Sequence, residues 1–200
     1  KKLYENVKDL YFDEYNIIKK IKKNSHIKIL KGNLAKKGCI SKMNYDIDIL
    51  KGEVLVYKNE EEMINDLKND KIKKDNIIVI RYQGETIGCP EMLNATSSLS
   101  GYFSNKTPPL LTDGRFSGGS RGILVCHLPD AYKKDSITKI IRNGDIIEIT
   151  NNSINIDLQE EEIKNRFEIH KDKLPKLKRN SYINKYSKLV SGFEKGFTSN

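Results

Sequence analysis

Apolar residues along this 200-residue chain gather in short runs separated by glycine, asparagine and charged breaks, not in long periodic stretches. IKIL at 27–30, EVLVY at 53–57, NIIVIRY at 76–82, PLLT at 109–112 and ILVCHL at 123–128 have the length and β-branched content of strands. DIIEI at 145–149 and INIDL at 154–158 alternate on either side of Asn151-Asn152, which predicts a hairpin. Helical spacing is confined to fewer places. Asn59 caps the segment EEEMINDLKN, whose Met63, Ile64 and Leu67 form an apolar stripe and whose Glu60 to Glu62 suit a helix N-terminus. Pro90 takes the first position of a second helix, EMLNATSSLSGYF, offering Met92, Leu93 and Leu99 to the core. Residues 160–167 predict a third helix, LPKLKR an extended strap, and 182–190 a short terminal helix. This order, β-rich with inserted helices, favours an α+β, β-barrel-like domain over a doubly wound sheet. Residues 1–25 lack clear periodicity and read as a linker or extension, followed by a barrel over 26–170 and a strap and helix over 171–200.

Composition narrows the class of partner. A net charge of +9 and a pI near 9.3 invite a nucleic-acid reading. Yet lysines are interleaved with Asn, Ile and Glu, only 19–23 and 171–179 form basic clusters, and no helix-turn-helix or aromatic stacking motif accompanies them. No apolar run approaches the roughly 18 residues of a membrane span, and Lys1-Lys2 opens no signal peptide. A soluble, cytoplasmic protein with neither nucleic acid nor membrane as partner is expected. The missing initiator Met, with the irregular first residues, suggests a piece of a longer chain. Three cysteines at wide spacing, without a C-x-x-C pair, make neither a zinc site nor a disulfide framework. Cys126, inside an apolar run, reads as a buried thiol, whereas Cys39 and Cys89 follow glycines and are expected nearer a ligand. His127 reads as a satisfied strand-end histidine, and His26 and His170 as surface.

The stretch that looks built for chemistry is TDGRFSGGSRG, residues 112–122, with four glycines, Asp113, Ser117 and two arginines after an apolar run. Glycines at this density permit positive φ and close backbone approach, and such a loop can aim Ser117 and backbone N–H groups at an anion. Taken alone, it is more often a surface turn. GETIGCPEM at 84–92 also follows a strand, and Glu91 within it is suited either to capping a helix or to ligating a hard cation. GNLAKKGCISK at 32–42 adds two glycines, an asparagine and lysines after IKIL.

Together these segments resemble the C-terminal domain of the dihydroxy-acid dehydratase and phosphogluconate dehydratase family. KGNLAKKGCISK is similar to the family's RGNLAP-G-x-x-x-K, VIRYQG and PEML to its VIRYEG and PEML, TDGRFSGG to its signature, and NGDIIEI to a later strand. The tail YINKYSKLVSGFEKG resembles the dihydroxy-acid branch more than the sugar-acid branches. The segment between RYQG and PEML is shorter than in the family, and Cys126 stands where a glycine is usual.

The resemblance implies a swivelling β-barrel-like domain and a hydro-lyase converting 2,3-dihydroxy acids to 2-keto acids in valine, isoleucine and leucine synthesis. It implies magnesium and an iron–sulfur cluster as cofactors, the cluster ligands lying on a large N-terminal domain and not on Cys39, Cys89 or Cys126. A small-molecule dihydroxy acid, that N-terminal domain and a second copy in a homodimer are the implied partners. By the same resemblance Glu91 is the magnesium ligand and Ser117 the general base at carbon 2, with Ser117, Gly118 and Gly119 contacting substrate. Two other readings are a phosphogluconate or sugar-acid dehydratase domain, and a non-catalytic basic binding module on the same scaffold.

Overall fold

Residue-by-residue alternation inside the apolar runs builds a sheet with both faces buried. The computed structural model describes residues 26–43, 47–104, 106–170, 174–177 and 181–198. The predicted 1–25 extension and the basic cluster at 19–23 lie outside them, as do parts of the strap. In β4 (Ile77–Ile80) every residue is buried: Ile77 and Val79 enter one core cluster, Ile78 and Ile80 another. β5 (Leu110–Thr112) and β6 (Ile123–Cys126) divide the same way, Leu111, Ile123 and Val125 against Leu110 and Leu124. Continuous apolar runs of this kind belong to parallel strands covered on both sides.

With β1 (Ile27–Leu30), β2 (Cys39–Met43), β3 (Ile49–Tyr57), β7 (Ile146–Thr150) and β8 (Ile154–Ile156), these make an eight-stranded sheet ordered β1-β2-β6-β5-β4-β3-β7-β8. The middle strands β3, β4, β5 and β6 run parallel, and the flanking pairs are antiparallel. The two edges then meet. Lys31 N donates to Asn152 O at 3.3 Å and Ile154 N donates to Lys31 O at 3.1 Å, so the sheet nearly closes on itself. Asn33 extends the seam, its side chain donating to Ile156 O at 2.8 Å and accepting from Ile156 N at 2.7 Å. Gly32 is required there, because a Cβ would lie 1.9 Å from Ile154 O. The Gly32-Asn33 pair of the first motif is therefore a seam device. Closure removes the exposed edges that an open sheet would present.

The first core cluster fills the barrel interior. The second lies outside it, under α1 (Glu60–Lys68) and α2 (Leu93–Phe103), where Met63, Leu67, Met92, Ala95, Leu99 and Phe103 meet the outer face of the parallel strands. α1 is capped as its sequence predicts, with Asn59 Oδ1 accepting from Glu62 N at 2.8 Å. α3 (Glu160–Ile169) packs on the turn at 137–140. Its Arg166 makes a two-pronged pair with Asp145 at 2.6 and 2.9 Å, and Glu162 adds a third contact at 2.6 Å. α4 (Tyr182–Tyr186) lies on the 3₁₀ turn Glu85–Ile87.

The α+β, barrel-like architecture is as expected, with local differences. β2 is not among the predicted strands, because its five residues CISKM carry a serine and a lysine after a glycine turn. The second helix begins at Leu93, not at Pro90, since Pro90 to Met92 is held extended against Arg115. The terminal helix ends at Tyr186, short of Val190. No described helix is long and apolar enough to cross a membrane.

Arg166 is 7% exposed and Asp145 8%, so Arg166→Met strands a buried carboxylate. Removing one partner of such a pair is expected to cost about 3 kcal/mol. Urea denaturation of the variant reads this directly; a loss below about 1 kcal/mol, the scale of an exposed pair, would show that water still reaches Asp145.

Candidate functional site

The segments leaving β4, β5 and β6 at their carboxyl ends carry the motifs, which is where open parallel arrays place their ligand sites. One side chain gathers them. Asp113, 2% exposed, accepts from Tyr82 N at 3.1 Å, Gln83 N at 2.9 Å and Ala131 N at 2.9 Å, binding the exits of β4 and β6 to its own loop after β5. Burial pushes its pKa up to about 7 against the opposing pull of these three donors. Asp130 works in parallel, accepting from Thr86 N at 2.8 Å, from the Thr86 hydroxyl and from Tyr132 N at 2.9 Å. A Cβ on Gly84 would lie 2.5 Å from Asp130 Cγ, so this glycine admits the carboxylate.

Glu91 and the glycine-rich loop meet through backbone pairing. Arg115 N donates to Pro90 O at 3.1 Å and Met92 N donates to Arg115 O at 3.0 Å, which sets Glu91 opposite Arg115, just ahead of Ser117. The capping alternative for Glu91 fails. The N-terminus of α2 is capped from outside, by Glu60 Oε1 accepting from Ala95 N at 2.7 Å. Glu91 keeps an exposed carboxylate whose one ion-pair contact among the described residues is Arg115 Nε at 3.9 Å.

The loop glycines serve different ends. Gly114 is demanded by packing, its Cβ position falling 2.9 Å from Pro90 O, and Gly122 by a φ of +110°. Gly118 and Gly119 have neither positive φ nor crowding, and the space beside Gly118 is open. The packing of the described residues does not require glycine at either position. Ser117, half-buried, holds its Oγ 3.3 Å from Ser120 Oγ. Beneath it Lys42 Nζ donates to the carbonyls of both Gly118 and Ser120. Neither Asp113 nor Lys42 stood out in the sequence as an individual residue; their partners lie 18 to 78 positions away.

Of the three cysteines, Cys39 is in the barrel interior and Cys89 under the loop, both buried. Burial pushes Cys39 and Cys89 up to about 12 and Cys126 up to about 11. His127 ends β6 as expected, with Nδ1 3.6 Å from Cys89 Sγ and its ring stacked on Phe193 at 5.3 Å. Phe193 N donates to Glu85 Oε2 at 3.2 Å, so the C-terminal turn backs the Glu91 segment. His26 and His170, read as surface, are half-buried. Among the described residues no group of three or more His, Cys, Asp or Glu is placed to hold a metal ion. A hard cation takes six or so oxygens, of which the Glu91 carboxylate can offer at most two.

Comparison with known proteins matches residues 15–197 to the family described as Dihydroxy-acid/6-phosphogluconate dehydratase C-terminal. The chain is similar to the dihydroxy-acid dehydratase of Francisella tularensis subsp. novicida (strain U112), 42% identical over 202 residues, covering 96% of this chain and 36% of that protein. It is similar also to the dihydroxy-acid dehydratase of Methanococcus maripaludis (strain C6 / ATCC BAA-1332), 37% identical over 203 residues, 96% of this chain and 37% of that one. The chain thus spans a little over a third of the length of these curated relatives.

The assignment of the helix cap is testable. Glu60→Ala should cost about 1 kcal/mol, the usual worth of an N-terminal cap, whereas Glu91→Ala should leave stability within about 0.5 kcal/mol. Chemical denaturation of the two variants side by side decides it; the reverse ranking would return the cap to Glu91.

Proposed function

Because the chain belongs to the dihydroxy-acid/6-phosphogluconate dehydratase family as its C-terminal domain, we propose that it is the C-terminal part of a dihydroxy-acid dehydratase. That enzyme removes water from 2,3-dihydroxy acids to give 2-keto acids, here in branched-chain amino-acid synthesis. The observation that carries the reading is the Pro90–Met92 pairing with Arg115, which joins the PEM and GRFSGG motifs at one edge of the barrel.

Dehydration requires loss of a weakly acidic proton at carbon 2 and of the hydroxyl at carbon 3. Ser117 is the proton acceptor in this proposal, on a loop whose Gly118 and Gly119 N–H groups have no hydrogen-bond partner among the described residues and are free to face a carboxylate. A serine hydroxyl is a weak base in water, so its use depends on positive charge nearby and on a fixed geometry. Glu91 contributes one anionic oxygen to magnesium from a position that the folding of α2 does not need. When bound, magnesium and the iron–sulfur cluster supply Lewis-acid stabilisation of the substrate's oxygens. The cluster ligands and remaining magnesium ligands come, on this reading, from the N-terminal part of the same enzyme, with the substrate held between the two parts.

In the complete enzyme, Ser117→Ala should slow the chemical step at least about 10²-fold, the low end for a positioned general base, with a much smaller change in substrate binding. Exchange of the carbon-2 proton with solvent at the wild-type rate in this variant would remove Ser117 from that role. Glu91→Gln keeps the shape of the side chain but loses its charge. Its activity should fall and recover in part as magnesium is raised, without a shift in melting temperature. A magnesium titration that superimposes on the wild type's would show that Glu91 is no ligand.

A further inference from the structure

Lys42 occupies a place in the fold that neither core packing nor solvation explains. In β2 the side chains of Cys39, Ser41 and Met43 are buried toward the barrel, and Ile40 and Lys42, half-buried, take the opposite face. Lys42 pairs in register with Leu124 of β6, the strand into which the loop 113–122 returns. Its ammonium thus lies beneath that loop, where it donates to the carbonyls of Gly118 and Ser120.

Two features set this apart from a surface lysine resting on convenient acceptors. Among the described residues, these are the only hydrogen bonds that tie Ser117 to Ser120 to the rest of the barrel. The others within the segment are internal, from Ser120 N to Ser117 O at 3.4 Å and between the two hydroxyls at 3.3 Å. At Gly118 packing does not replace them, since nothing lies within 4 Å of a Cβ there. Second, among the described residues no carboxylate lies within ion-pair distance of Lys42. Its positive charge therefore sits on the backbone of the loop that carries Ser117, the proposed proton acceptor, and a nearby cation favours the ionised form of such a group.

We propose that Lys42 is a positioning residue for Ser117: it clamps the loop by both carbonyls and supplies a fixed positive charge beneath it. The inference rests on the assignment of Ser117 as base, and its test separates the two. In the complete enzyme Lys42→Met keeps the apolar stem and removes charge and donors, whereas Lys42→Arg keeps both. Three quantities are read: the steady-state constants, the melting temperature, and the rate of trypsin cleavage after Arg121, an exposed residue of the same loop. Lys42→Met should lower kcat at least about tenfold, leave KM within about twofold and the melting temperature near wild type, and speed cleavage after Arg121. Lys42→Arg should restore most of kcat and of the protection. Wild-type protection in Lys42→Met, or a loss expressed in KM alone, overturns the proposal. If Lys42→Met loosens the loop while Ser117→Ala still exchanges the carbon-2 proton normally, the base assignment falls and Lys42 stands as the clamp of the loop.

Discussion

A buried carboxylate that accepts three backbone N–H groups is the constraint on which the rest of this edge depends. Asp113 would be costly inside the protein without partners, and its donors at 82, 83 and 131 offset that cost only while three chain segments stay in register. With these segments fixed, the pairing of Pro90 to Met92 with Arg115 follows, because both partners are held at their bases. Glu91 and Ser117 then belong to one surface although no contact between their side chains is needed. The loop between them is thereby fixed at its start and, from Ser117 to Ser120, is hydrogen-bonded to the barrel only through Lys42 among the described residues.

The motif residues divide among three physical tasks that look alike in the sequence. Gly32 and Asn33 close the barrel between β1 and β8, and Gly84 and Gly114 permit close approach of backbone to Asp130 and Pro90. Asp113 is a structural acceptor despite its place in the most catalytic-looking segment. On the proposed function, what remains for chemistry is Glu91, Ser117 and the open glycines at 118 and 119, with Lys42 positioning the loop. Part of the basic excess is likewise structural. Arg81 donates to the carbonyls of Thr138, Lys139 and Ile141, Arg166 neutralises Asp145, and Lys139 is buried with its ammonium on Lys134 O.

Strand positions, the capped first helix and the Asn-Asn hairpin could be read locally because their signals are local. Period-two alternation, Asn59 three residues before Glu62, and a polar turn between two alternating runs each act within a few residues. β2 escaped since its buried positions include Ser41, which the barrel accommodates by a hydrogen bond to Lys28 O at 3.3 Å. The start of α2 was misplaced for a tertiary reason: Pro90 is a good first helical residue, but pairing with Arg115 holds the next residues extended.

The sequence by itself determined seven of the eight strands and the class of fold and, through resemblance, pointed to Glu91 and Ser117. The tertiary structure alone decided which of the neighbouring polar groups were free to act. Glu60 caps α2 from 35 residues away, Asp113 is consumed by backbone donors up to 31 residues away, and Lys42 reaches a loop 76 residues on. Hydrogen bonds between distant segments form only after the apolar alternation has closed the barrel and brought them together, so no local pattern of residue types records them.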